Sequence, residues 1–187
     1  MGSRLRPSVG QRGLRRRRGR LPRRPLRRRP LLIALFGDTH LPRGARMLPA
    51  ECGRVLEQAS VALHVGDVTS AAALDEMRAL VPVEAVYGNM DEPELKAGLP
   101  ERAVVEAEGL RIGLVHDPGP VQGRHDRLLE WFPGCDVVAY GHTHLPEVAR
   151  HRDVWIVNPG SPTERRRAPG HSLAVLVDGE PHLIALD

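Results

Sequence analysis

Leu31-Leu32-Ile33-Ala34-Leu35-Phe36, followed at once by Gly37-Asp38-Thr39-His40, decides how the chain is read. A short, continuously apolar run suits a strand covered on both faces. The glycine and polar residues after it end the strand with side chains able to bind or react. The same phrase recurs downstream: Val61-Ala62-Leu63-His64-Val65 runs into Gly66-Asp67, and residues 83–87 run into Gly88-Asn89. Residues 110–115 end at His116, and Val137-Val138-Ala139-Tyr140 ends at Gly141-His142-Thr143-His144. Helices are predicted between these strands at 49–59, at 70–80 with Ser70 as N-cap, and at 126–132. Strand, polar loop and helix in alternation predict parallel strands joined by right-handed crossovers, with functional groups at the strands' carboxyl ends.

The second half is richer in strands. Residues 102–106 and 110–115 form a hairpin across Ala107-Glu108-Gly109, and 154–157, 173–177 and 182–185 supply further strands. Pro159-Gly160-Ser161-Pro162 reads as a turn and Glu164-Arg165-Arg166-Arg167 as an exposed charged loop. The expected fold class is therefore α/β, with two mixed sheets facing each other and helices outside.

Composition divides the chain in two. Residues 1–30 hold 13 arginines and no acid, whereas the remainder carries 14 basic and 23 acidic residues, a net charge of −9. The first segment has too little apolar surface to offset its ordering entropy and is expected to be a disordered extension ahead of a domain at 31–187. A translation start set too far upstream, a nonspecific contact with nucleic acid or anionic lipid, and a targeting role all account for it. An acidic body argues against a specific nucleic-acid partner, and 3% aromatic residues argue against a base-stacking groove. No run of 18 apolar residues is present, so no membrane association is expected. Cys52 and Cys135, far apart and outside any CxxC pair, suit a reducing cytoplasm.

Seven donors stand at five strand ends: Asp38, His40, Asp67, Asn89, His116, His142 and His144. A lone histidine at a strand end is ordinarily a satisfied imidazole, but seven donors at equivalent positions point to one shared site. The i,i+2 spacing of Asp38 with His40, and of His142 with His144, lets both side chains of each pair approach one point. Two divalent cations about 3.5–4 Å apart repel and need an anionic bridge, for which the carboxylate of Asp67 is the best candidate. Imidazole nitrogens and oxygens without thiolate suit two divalent metal ions drawn from Mn, Ni, Co, Fe or Zn; donor type does not select among them, and Mn is taken as the leading expectation.

These motifs resemble those of the calcineurin-like metallophosphoesterase superfamily, and Asn158-Pro159-Gly160-Ser161 resembles its small YfcE-type phosphodiesterase branch. The likeness covers residues 31–187. It implies a four-layer α/β/β/α sandwich in which Asp38, His40 and His144 hold one metal, Asn89, His116 and His142 a second, and Asp67 bridges them. It further implies a phosphodiesterase acting on a small phosphoester, with a hydroxide bridging the metals attacking phosphorus in line. Asp67, Asn89, Asp91 and His116 form the candidate catalytic set, Asp91 being read chiefly as a residue that fixes its loop.

Two positions depart from many relatives. Met90 stands where they carry a histidine able to protonate the leaving group, a departure shared with the YfcE-type branch. Asp117 follows His116 where glycine is common. Arg43 is a candidate phosphate contact, and His64 is expected to pack beside the site. A non-catalytic protein-interaction scaffold, the use to which a retromer subunit puts this fold, and a phosphomonoesterase or nucleotidase are the alternative functions.

Overall fold

The structure, a computed structural model, describes residues 32–42 and 47–186; the arginine-rich extension and Arg43 lie outside the described residues. Along the chain run β1 (Leu32–Phe36), α1 (Ala50–Gln58), β2 (Val61–His64), α2 (Ala71–Arg78), β3 (Val83–Ala85), α3 (Pro93–Gly98) and β4 (Arg102–Ala107). There follow β5 (Leu110–Val115), α4 (Arg124–Trp131), β6 (Val137–Tyr140), β7 (Glu147–His151), β8 (Val154–Asn158), β9 (Ser172–Val177) and β10 (Glu180–Ala185).

Two five-stranded sheets form, ordered β10-β9-β1-β2-β3 and β4-β5-β6-β8-β7. In the first, β1, β2 and β3 are parallel and β9 joins β1 antiparallel. In the second, β5, β6 and β8 are parallel, with β4 and β7 antiparallel at the edges. Both sheets are mixed, as the sequence predicts.

The apolar run of β1 explains the layering. Ile33 and Leu35 point between the sheets onto Leu63, Ile112 and Val137. Ala34 and Phe36 point the other way, onto Cys52 and Leu56 of α1 and Leu74 and Met77 of α2. β6 divides likewise: Val137 and Ala139 enter the central core, while Val138 and Tyr140 pack with Leu128 beneath α4. Three apolar cores thus separate four layers, giving the α/β/β/α sandwich. Each fully buried Leu, Ile or Phe contributes about 1.5–3 kcal/mol. Burial pushes the Cys52 thiol up to about 12, so it is a packing group and not a nucleophile.

Helix α2 begins as expected, with the Ser70 side chain accepting from Ala73 N at 3.2 Å. Three readings need correction. β3 stops at Ala85, not at 87, because Tyr87 N donates to Pro100 O and leaves the ladder. α3 and β7 were absent from the sequence reading: α3 is six residues opening on a proline, and Glu-Val-Ala-Arg-His in β7 carries little apolar signal. α4 starts two residues early, at Arg124, behind Gly123 in the left-handed region. It is braced to β7 by His125–Glu147 and His151–Asp126 contacts of 2.9 Å, which gives those two histidines structural work away from the strand-end loops.

His64, at the end of β2, has no solvent exposure. Its Nδ1 accepts from Gly66 N at 3.1 Å, so Nε2 carries the proton and donates to Thr39 Oγ1 at 3.1 Å. The ring therefore stiffens the two loops bearing Asp38 and Asp67. Burial, reinforced by the His116 charge, pushes its pKa down to about 3.

Two predictions follow from this packing. A Cβ on Gly113 would meet the Phe132 side chain at 2.5–2.9 Å, so Gly113→Ala should destabilise the chain by about 1–3 kcal/mol in urea titration; an unchanged midpoint would contradict the packing. His64 should take up a proton on unfolding whenever the pH lies below its unfolded value of about 6.5, so stability falls as pH drops towards 3. The contribution lost by pH 5 is about 2 kcal/mol. Metal-free His64→Gln should show a correspondingly shallower decline over that interval, and parallel slopes would contradict a neutral buried imidazole.

Candidate metal centre

The five loops meet because backbone hydrogen bonds tie them together. Asp38 N donates to Gly66 O and His40 N to Asp67 O, both at 2.9 Å, which locks the loop after β1 to the loop after β2. Gly141 N donates to His116 O at 3.0 Å, and His142 N donates to Asp38 Oδ2 at 2.9 Å, joining the sheets at their carboxyl ends. Asp38, His40, Asp67, His142 and His144 all adopt positive φ, from 47° to 69°. Such backbone costs about 1–3 kcal/mol per residue and persists only where the surroundings over-determine it.

All seven predicted donors are brought together. Asp38, His40 and His144 form one buried group: His40 Nε2 lies 3.3 Å from His144 Nε2, and His144 Nε2 lies 3.2 Å from Asp38 Oδ1. Asn89, His116 and His142 form another, Asn89 Oδ1 standing 3.1 Å from both His116 Nε2 and His142 Nδ1. Asp67 joins the two, its Oδ2 being 3.8 Å from His40 Nε2 and 3.4 Å from His116 Nε2. Asp67 Oδ2 is thus the oxygen that faces both groups, while Oδ1 accepts Met90 N–H at 2.8 Å.

The chemistry of this set fits cations. His144 Nδ1–H donates to Glu164 O at 2.5 Å and His116 Nδ1–H to Val65 O at 2.8 Å, which leaves Nε2 of each ring as the atom directed at carboxylates and other nitrogens. Backbone anchoring of the far ring nitrogen is the arrangement that orients a metal-bound histidine. Burial holds the His40 pKa below its ordinary value despite the Asp67 and Asp38 charges. For His116 burial acts in the same direction but is outweighed by the hydrogen bond to Asp67 and the Asp38 charge, so its pKa is raised. Burial opposes ionisation of Asp67, yet His116 prevails and lowers the Asp67 pKa. Divalent cations would take the place of the His116 proton as the counter-charge to Asp67. The groups differ in access: Asp38, His40 and His144 are at most 2% exposed, whereas Asn89 is exposed and His142 half-buried.

The glycines before the donors permit this proximity. Gly66 sits at φ +90° against His116, and a Cβ on Gly88 would fall 2.1 Å from Asp67 Oδ1.

Other singled-out residues resolve differently. Asp91 is 3% exposed and accepts from Thr69 N at 2.6 Å and Gly88 N at 2.7 Å. Burial raises its pKa. It fixes the turn carrying Asn89, in keeping with the loop-fixing part of the sequence reading. Asp117 is exposed and accepts Gly119 N–H at 2.8 Å, closing its own turn. Met90 is 54% exposed.

Sequence reasoning missed Glu164, which it placed in a solvated charged run. The side chain is 23% exposed and its Oε2 stands 3.6 Å from His40 Nε2. Asn158 marks the turn that delivers it: its Nδ2 donates to Gly141 O and Thr143 Oγ1, and its Oδ1 accepts Gly160 N–H.

Comparison with known proteins bears on the family and the fold. A probable metallophosphoesterase of Methanothermobacter thermautotrophicus is 37% identical over 154 residues, covering 80% of this chain and 88% of that protein. Among solved structures, Chaetomium thermophilum Vps29 aligns with a TM-score of 0.65 at 28% identity, over 78% of each chain. A structure described as a novel archaeal phosphodiesterase shares the fold, with a TM-score of 0.64 at 22% identity, over 83% of this chain and all of that one. Residues 31–179 match the calcineurin-like phosphoesterase superfamily domain, and the chain belongs to that superfamily.

Proposed function

We propose that this chain is a binuclear metal-dependent phosphodiesterase, with Asp38, His40, His144 and Asp67 holding one ion and Asp67, Asn89, His116 and His142 the other. The observation that carries the reading is the double contact of Asp67 Oδ2, 3.8 Å from one histidine group and 3.4 Å from the other. A carboxylate shared by two donor sets is the bridge that a pair of dications requires. Two such ions, Mn foremost and Ni, Co, Fe or Zn as alternatives, would supply Lewis acidity towards water and the phosphoryl oxygens.

The chain's own residues supply position and selectivity. Asn89 and His142, the accessible members, define the side from which a phosphoester enters. Val65 and Glu164 carbonyls fix the rings of His116 and His144, and Asp91 fixes the loop of Asn89. The Glu164 carboxylate beside His40 disfavours a second negative charge on the substrate, which supports a diester over a dianionic monoester. Met90 cannot give a proton to the departing oxygen. The leaving group must then depart largely unaided. The likeness to Vps29 favours a protein-interaction scaffold as the second reading; the intact sevenfold donor set favours catalysis. Two buried free thiols support placing the protein in a reducing cytoplasm.

Metal analysis with a rate panel tests the proposal. Wild-type protein should hold about two Mn ions per chain, and Asp67→Asn or His116→Ala should lose metal and at least about 100-fold in kcat/KM on a bis-aryl phosphodiester. Wild-type rates in both variants would remove them from the mechanism. Aryl esters should be cleaved at least about 100-fold faster than alkyl esters, the scale of the missing acid catalysis. Equal rates, with chemistry shown to limit turnover, would contradict the role given to Met90.

A further inference from the structure

We propose that β4 is an association edge, along which a second copy of this chain pairs antiparallel about a two-fold axis at Val104. β4 is the terminal strand of its sheet, and among the described residues no backbone-to-backbone hydrogen bond reaches Arg102–Ala107 from outside the β5 ladder. Unpaired N–H and C=O groups along a strand edge are a template for another strand. The other edges suit this less: β3 has three residues, and β7 and β10 lie against each other. β4 runs six residues without a proline.

Charge selects the occupant. Ala103, Val105 and Ala107 pack onto the central core, and alternation turns Arg102, Val104 and Glu106 to the opposite face, where the Arg102 guanidinium lies 3.7 Å from the Trp131 ring centroid. Charges on an edge strand ordinarily discourage pairing. Their spacing here does the reverse. With the two Val104 residues opposite each other, Arg102 of each copy stands across from Glu106 of the other, giving two cross-strand ion pairs. Within the chain both charges make only long, exposed contacts, Arg102 with Glu101 at 3.9 Å and Glu106 with Arg111 at 3.8 Å. Val104 is 48% exposed, its cross-strand neighbour Gly113 having no side chain to cover it, and the two Val104 side chains would bury each other. Such an isologous contact joins two five-stranded sheets into one that is continuous across the dimer.

Sedimentation velocity of the full chain over a concentration series reads the result. Wild-type protein should show a monomer–dimer equilibrium. Arg102→Glu or Glu106→Arg alone sets like charges opposite each other twice and should weaken the dimer by about tenfold or more. An equimolar mixture of the two variants should restore wild-type association, because each copy then offers the charge that the other faces. Should Arg102→Glu, which abandons Trp131, fail to fold, Glu106→Arg carries the test on a side chain 80% exposed, against Glu57→Arg on exposed α1, which makes the same charge change and should leave the dimer intact. A wild-type monomer at every concentration, a dimer indifferent to either reversal, a mixture no tighter than the single variants, or an equal loss in Glu57→Arg would overturn the proposal.

Discussion

Buried charge governs this molecule. Two carboxylates and three imidazoles, those of Asp38, Asp67, His40, His116 and His144, are almost wholly withdrawn from water and stand within contact of one another. Removing a carboxylate from water is costly unless it is paired, and the partners that stand against Asp38 and Asp67 are imidazoles. In the protein alone a proton on His116 answers Asp67; in the proposed function divalent cations do. The positive φ values of five donor residues and the glycines packed against Asp67 and His116 are the structural expense of that crowding. The sandwich exists around it, bringing the carboxyl ends of two parallel strand sets to one edge.

Chemistry and fold are linked through β1. Its continuous apolar run fills two cores at once, so the strand cannot slip without expelling Phe36 or Leu35 into the wrong layer. Fixing that register fixes Asp38 and His40, two and four residues beyond its end. The second sheet does the same for His142 and His144 through β6. Backbone bonds then join the loops and hold the donor set together, and preorganised charge of this kind is what electrostatic catalysis would use in the proposed function.

Much of this was legible in the sequence because period and punctuation coincided. Apolar runs ending in glycine and a donor announce both a buried parallel strand and a site at its end, and all seven donors so identified converge. Elements without that double signal escaped: β7 owes its existence to pairing with β8, not to an apolar pattern, and α3 is too short to show a period. Glu164 was hidden for a different reason. A glutamate beside three arginines reads as solvated charge, and only the anchoring of its segment to Asp38 and Thr39 reveals where it points.

The central claim is that Asp67 is shared between two cations. Anomalous diffraction from crystals grown with Mn measures this directly. The account predicts two peaks about 3.5–4 Å apart, both within bonding distance of the Asp67 carboxylate, with His40 and His144 on one and His116 and His142 on the other. A single peak, or two peaks with Asp67 bound to neither, would contradict it.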